Sequence, residues 1–161
     1  MNNFGISLHE KEMDMRLVKV PNINKNQVLE LERILNTDTK LRASLGIKNE
    51  CHDFLGHTLK WMQDTNSITY VIIDDSPLGL ISISHIKDGE ARIGYWLASA
   101  YWNMGITSMA FERILSKARW MGIVKVSGTI KFDNANSLAI WKKFGASIAE
   151  NNEGFHASIF L

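Results

Sequence analysis

Residues 94–108 read GYWLASAYWNMGITS, and the fold is decided by how this stretch is parsed. The aromatic and aliphatic run from Gly94 to Leu97 suits a strand. A short loop follows, and Gly105 then opens a periodic apolar segment. Ile106, Ala110, Ile114, Leu115, Ala118 and Met121 recur at helical spacing, which predicts a helix over 104–121 with Gly122 as its stop. The first turn of a helix leaves backbone N–H groups without intrahelical partners, at the positive end of the helix dipole, so a strand–loop–helix junction favours an anion. Gly105 keeps a Cβ out of the approach, and Thr107 and Ser108 add hydroxyl donors. Taken alone, the same pattern also fits an ordinary strand-to-helix turn containing a glycine.

Beyond this junction, Val124–Phe132 alternates, with Val124, Val126, Gly128 and Ile130 on one face and Lys125, Ser127, Thr129 and Lys131 on the other. Asp133 or Asn134 caps a further helix that carries Leu138, Trp141 and Phe144 and ends at Gly145. Ser147–Ile148 and His156–Phe160 read as closing strands. Before the junction, a strand over Leu78–Ile86 returns through an Asp88-Gly89 hairpin turn to a strand over Ala91–Leu97. A strand over Thr69–Ile73 precedes the turn at Asp74–Pro77. Helical stripes occupy 24–35 (Val28, Leu31, Ile34, Leu35) and 51–62 (Phe54, Leu55, Leu59, Met62), with Gly46 between them, and Met15–Val20 suits an early strand. The sum is a single α/β (α+β) domain over residues 1–161, with a mixed sheet of six or seven strands flanked by helices. No internal repeat or linker interrupts it.

Composition bounds the function. With 45% apolar and 22% charged residues in 161, the chain is neither disordered nor low-complexity. Lys and Arg number 18 against 17 Asp and Glu, which argues against a nucleic-acid partner held on a broad basic face and leaves room for a local anion site. The excess of basic residues falls in the second half. Cys51 is the only cysteine, so neither an intrachain disulfide nor a cysteine cluster can form. His52 and His57 stand five apart rather than four, and no metal is assigned. No apolar run approaches the length of a membrane span. His9, Glu10, Lys11, Glu12 and Asp14 do not suit a signal peptide, so a cytoplasmic protein is expected.

The strand over 90–97, the loop, the helix over 104–121, the strand over 124–132 and the helix opening Asn134-Ala135-Asn136-Ser137 occur in that order. Over about residues 78–146 this resembles the GNAT superfamily of acyl-CoA-dependent N-acetyltransferases, and within it the branch acting on ribosomal-protein N-termini (RimJ/RimL type). The phrases carrying the likeness are Ile93-Gly94-Tyr95-Trp96-Leu97, Tyr101-Trp102-Asn103-Met104-Gly105-Ile106-Thr107, and Asn134 through Ser137 with Trp141-Lys142-Lys143-Phe144-Gly145-Ala146. The resemblance implies acetyl-CoA as cosubstrate, no metal, and direct transfer in a ternary complex. The acceptor it implies is a primary amine, either a protein N-terminus or a small molecule such as a polyamine or aminoglycoside. It implies no nucleic-acid or membrane partner and is compatible with a homodimer. It places the CoA pyrophosphate on Met104, Gly105, Ile106, Thr107 and Ser108, and the pantetheine and thioester carbonyl on Trp96 and Leu97. Asn134 and Ser137 fall on the pantetheine arm, with Trp141 packed beside it. The two early helices fall on the acceptor side.

Four positions depart from the family's pattern. Trp102 stands where Gln or Arg is common, Thr107 where Gly or Ala is common, Thr129 where some members place a glutamate base, and Trp141 where many place a tyrosine acid. Acetyl transfer requires a neutral amine, a donor to the developing oxyanion and help for the departing thiolate. Glu90, His85 and Asp88 are candidates for the base. Glu90 shares a strand face with Arg92 and can simply pair with it, His85 also suits a strand end, and Asp88 a turn. Ser137 is the candidate for assisting the thiolate, with a bond to its own helix backbone as the alternative. Trp141 is excluded as an acid because an indole N–H donates hydrogen bonds only. Arg113, Lys117 and Arg119 are candidates for the CoA 3′-phosphate, while Lys142 and Lys143 read as a solvated pair. The absent Glu and Tyr also motivate a second reading, a CoA-binding sensor or interaction module without turnover.

Overall fold

A computed structural model describes residues 14–161, so the expectation about a leader, which rests on the first residues, lies largely outside the described ones. The chain runs β1 (Arg16–Lys19), α1 (Lys25–Thr37), α2 (Thr39–Leu45), α3 (Phe54–Thr65), β2 (Ile68–Ile73), β3 (Pro77–Lys87), β4 (Glu90–Leu97), a 3-10 turn (Ser99–Tyr101), α4 (Ile106–Trp120), β5 (Lys125–Lys131), α5 (Ala135–Lys143), β6 (Ser147–Glu150) and β7 (Gly154–Phe160). The seven strands form one sheet in the order β1-β2-β3-β4-β5-β7-β6. Every neighbouring pair is antiparallel except β4 and β5, which a helical crossover through α4 makes parallel.

Strand alternation sorts the side chains into two cores. On β4, Ala91, Ile93 and Leu97 join Ile106, Phe111, Ile114 and Trp141 on the face covered by α4 and α5. On the other face Val71 and Ile73 of β2 pack with Leu31, Ile34 and Leu35 of α1 and with Phe54, and Trp96 lies against them. Gly128 of β5 shows how close the first packing is: a Cβ there would stand 2.4 Å from Cζ2 of Trp141. The glycine makes the room that the indole fills.

The sequence-derived elements agree with those observed to within a few residues, with one omission and two shifted helix starts, α3 beginning at Phe54 after its Asp53 cap rather than at Cys51. Helix α4 begins at Ile106 rather than Met104, because Gly105 has a φ of +80°, outside helical space. The omission is α2, seven residues with a single buried side chain, Leu41. Its caps and one tertiary tie hold it. The Asp38 N–H closes α1 on Ile34 O at 2.9 Å, while its carboxylate caps α2 at Leu41 N (3.2 Å). The same carboxylate accepts from the backbone N–H and the hydroxyl of Ser99, both at 2.7 Å, fastening α2 to the turn after β4. Burial pushes the Asp38 carboxyl up, but the bonds from Ser99 and Leu41 outweigh it and hold the group below its ordinary value.

Two stability tests follow from this packing. Gly128→Ala should cost about 1–3 kcal/mol in denaturant unfolding, the usual range for overpacking a filled core. A neutral result would mean the indole moves aside freely. Asp38→Asn should cost about 1–2 kcal/mol at neutral pH, because a charge-assisted cap and tie are weakened. Since the folded-state value is lowered, that advantage is complete above the unfolded carboxyl value and disappears as pH falls through the folded one. Unfolding curves of wild type and variant should therefore converge in strong acid, and a gap that persists there would point to geometry rather than charge.

Candidate active site

The parallel pair β4/β5 is in register for Glu90↔Lys125, Ala91↔Val126 and Arg92↔Ser127 only. From Ile93 onward β4 has no strand partner on that side, while β5 stays bonded to β7 as far as Lys131↔Gly154. The two strands part, and a cleft of about 630 Å³ opens beside the upper half of β4. Trp96 and Leu97 line it from the strand, Gly105 to Ser108 from the start of α4, and Asn134 to Ser137 from the start of α5. Leu41, Ala43, Ser44 and Leu45 of α2 form the remaining wall. The helix that escaped sequence reading therefore borders the site.

No side chain caps α4, and the first backbone bond back into the helix runs from Met109 N to Gly105 O. The N–H groups of Ile106, Thr107 and Ser108 are thus left to the cleft or to solvent. A Cβ built on Gly105 would meet no protein atom within 4 Å, so the space over this turn is open. Lys143 reaches the same turn from the end of α5, its Nζ donating to Ser108 Oγ at 2.9 Å. Lys131 also lines the cleft and donates to Ser44 O at 3.0 Å. A nearly neutral chain therefore places one lysine in the cleft lining and a second against the hydroxyl of Ser108 at the uncapped helix start. Arg113 donates to Met15 O, Lys117 lies over the Tyr70 ring, and Arg119 sits in the last turn of α4, away from Gly105. None of these three lines the cleft. Met104 is 63% exposed and also stands outside it. Trp102, where the family pattern commonly has Gln or Arg, donates Nε1 to Leu97 O at 2.7 Å and so braces the loop against the strand end.

Two side chains in this region change role. Asn134 Oδ1 accepts from Ser137 N at 3.1 Å, so its carbonyl is engaged in the cap of α5 while its amide group is bonded to no other described residue. Ser137 Oγ does not bond its own helix but meets the hydroxyl of Tyr95 at 2.5 Å. Tyr95 is the residue that sequence reading passed over. Its ring sits edge-on to Phe111 at 6.1 Å, and Phe111 in turn contacts Trp141 at 4.9 Å and Phe144 at 5.2 Å. Burial pushes the Tyr95 phenol up, and hydrogen bonds from Ser137 and Trp141 oppose that only in part, so the group keeps its proton at neutral pH. The signal was present in the alternation of β4, which puts Tyr95 on the face of Ile93 and Leu97. Its meaning required knowing that α5 crosses over that face.

Trp141 itself is 1% exposed and lies outside the cleft lining, so its placement beside the pantetheine is corrected: the vacancy over Gly128 draws the indole into the core. The assignment of Glu90 as base is corrected as well. Glu90 begins β4 whereas the cleft lies at its end, about 20 Å away at the rise of a strand. Its side chain is 61% exposed and stands 3.7 Å from Lys125 rather than pairing with Arg92. His85 occupies a bulge with a φ of +53°, its Nδ1 3.0 Å from Ser84 Oγ, and Asp88 forms the hairpin turn; neither lines the cleft.

A second pocket, of about 300 Å³, lies on the other face of the sheet beneath α3. It is lined by His57, Thr58 and Trp61 above and by Thr69, Leu80, Ser82 and Gly94 below, and Tyr95 and Trp96 border both pockets. Among the described residues, no group of three or more His, Cys, Asp or Glu side chains is placed to hold a metal. No helix among them is long and apolar enough to cross a membrane.

Known proteins share this architecture. A Salmonella typhimurium acetyl transferase that modifies the N-terminal serine of the 50S ribosomal protein L7/L12 superposes with a TM-score of 0.66 at 18% identity, over 91% of this chain and 94% of that one. The Campylobacter jejuni N-acetyltransferase PseH, in complex with acetyl coenzyme A, gives 0.66 at 15% identity over 91% and 98%. A domain from Methanocaldococcus jannaschii gives 0.71 at 14% over 93% and 100%. At such identities the likeness is one of fold. No curated protein is matched by the sequence. The acetyltransferase (GNAT) domain family, by contrast, matches residues 32–147, a span that includes α2, the parted strands and the α4 and α5 helix starts. A match over so much of the sequence, at the elements that build the cleft, makes the chain a member of the GNAT acetyltransferase family.

Proposed function

We propose that the protein moves the acetyl group of acetyl-CoA to a primary amine, directly and in a ternary complex, in the cytoplasm. The observation that carries this reading is the uncapped start of α4 beside the unpaired half of β4 in a single cleft. The backbone N–H groups of Ile106, Thr107 and Ser108 suit a pyrophosphate, with Gly105 leaving the approach open and Lys143 adding charge. The unpaired backbone at Trp96 and Leu97 suits an amide-bearing arm and the thioester carbonyl, and the Asn134 amide lies alongside. The acceptor is a protein N-terminus or a small amine; the serine terminus acted on by the Salmonella relative supports the first.

The reaction needs a proton for the departing sulfur. Tyr95 and Ser137 form a hydroxyl pair over the parted strands, and the phenol holds its proton at neutral pH. In this reading the amine, neutral after losing a proton to solvent, attacks the thioester carbon to give a tetrahedral intermediate; the nitrogen gives a second proton to solvent, the carbon–sulfur bond breaks to leave the amide, and the thiolate takes a proton from this pair, which solvent then restores. Binding of CoA without turnover is the rival reading, favoured by the distance of Glu90, His85 and Asp88 from the cleft. Thiol release with an amine panel, above a no-amine control, decides between the two.

Gly105→Val should weaken CoA at least about tenfold by calorimetry with the circular dichroism unchanged, because the positive φ resists a β-branched residue and the new side chain enters the open approach. Unchanged affinity would place the phosphates elsewhere. Tyr95→Phe keeps the ring on Phe111 and removes only the hydroxyl. It should lower kcat by about 10²-fold with CoA affinity retained, the usual scale for loss of a general acid. A loss below threefold would remove Tyr95 from the chemistry.

A further inference from the structure

We propose that the protein carries an acceptor amine of its own: Lys131 is a self-acetylation site, modified from the acetyl-CoA held in the same cleft. The inference rests on the acetyltransferase reading above and adds a modification site to it.

Register and alternation place this lysine. The paired part of β4 and β5 runs Glu90↔Lys125, Ala91↔Val126 and Arg92↔Ser127, a constant offset along two parallel strands. Carried past the parting, that offset sets Lys131 level with Trp96, one of the residues proposed to hold the thioester. Trp96 shares the strand face of Arg92, and Lys131 shares that of Ser127, so the two lie on one side of the sheet. Both line the same cleft. Paired strands stand about 4.8 Å apart, and the gap has widened here over only a few residues, so the four-carbon stem of a lysine can cross it.

The amine is held inside the cleft. Lys131 Nζ donates to Ser44 O of α2 at 3.0 Å, from one wall to the other. No carboxylate among the described residues forms an ion pair with it, so loss of its charge on acetylation leaves no partner stranded. The amide N–H of an acetylated lysine can still donate to Ser44 O. Lys143 is placed differently: its Nζ meets Ser108 Oγ at the start of α4, where the phosphates are proposed to sit, and it does not line the cleft. Lys125 lies beside Glu90, at the far end of β4.

The chemistry is that of the external transfer. Nζ loses one proton to solvent, attacks the thioester carbon to give a tetrahedral intermediate, and gives a second proton to solvent. The carbon–sulfur bond breaks, an amide remains on Nζ, and the thiolate takes a proton from the Tyr95–Ser137 pair, which solvent then restores. Confinement of both reacting groups to one cleft raises their effective concentration, which favours this lysine over those on the surface.

The test incubates the protein with acetyl-CoA and no added amine, at several protein concentrations, followed by intact mass and peptide mapping. One acetyl group should appear on Lys131 about tenfold or more faster than on any other lysine. The fractional rate should be independent of protein concentration, as a reaction within one molecule requires. Lys131→Arg, which keeps the charge, should leave only the slow background. Acetyl phosphate, which acetylates lysines without using the CoA cleft, should show no preference for Lys131. An unmodified Lys131, acetyl groups spread evenly over the lysines, the same preference with acetyl phosphate, or a fractional rate that rises with protein concentration would each overturn the proposal. The acetyltransferase reading is judged separately. A blank amine panel with Lys131 acetylated removes the external acceptor and keeps this site; an active panel with Lys131 unmodified does the reverse. Absence of CoA binding by calorimetry removes both.

Discussion

The parallel pair β4/β5 holds for three residues on each strand and then separates, and the rest of the molecule is arranged around that separation. Parallel strands normally continue to exchange backbone bonds, because unpaired N–H and C=O groups are costly when buried. Here the upper half of β4 remains paired on its β3 side alone, and its other edge faces a cleft in which a ligand can supply the missing partners. Over the parted strands sits an aromatic group in which Tyr95 comes from β4, Phe111 from α4, and Trp141 and Phe144 from α5 and its end. Gly128 admits the indole. The opening is therefore supported by a packed core on one face while its backbone edge stays accessible.

Around that opening, small polar contacts set positions that the hydrophobic core leaves undetermined. Asp38 links three elements with one residue, ending α1, capping α2 and holding the turn at Ser99. Trp102 then bonds Leu97 O, so the loop into α4 is braced at both ends. These ties bring the wall of α2 to the cleft. In the folded molecule Lys143 reaches the hydroxyl of Ser108 at the uncapped turn of α4, while Lys131, from the end of β5, lines the cleft against Ser44 of α2.

The two sides of β4 carry different groups. One face carries Tyr95 and its hydroxyl partner Ser137 within an aromatic setting that keeps the phenol protonated. The other presents Gly94 and the row of small residues under α3. Alternation along a single strand sets the Tyr95–Ser137 hydroxyl pair on one face and the row of small residues on the other, with Tyr95 and Trp96 bordering both spaces.

Local pattern alone determined much of this protein. The alternation of Val124–Phe132, the Asp88-Gly89 turn and the apolar stripe of Ile106–Met121 specify their elements because side-chain periodicity and turn chemistry act over a few residues. The Gly105 junction was legible for the same reason, since the free N–H groups of a first turn follow from helix geometry. Tertiary structure decided the rest. Helix α2 has one buried residue and depends on a carboxylate bonded to Ser99, 61 positions away. Glu90 looked suitable as a base by residue type and closeness in sequence, yet an extended strand carries its two ends far apart. Tyr95 and Ser137 are 42 positions apart and acquire meaning only as neighbours. Periodicity fixes which face a side chain occupies, but which residues meet across that face depends on strand register and helix crossing, and those are set by the packing of the whole chain.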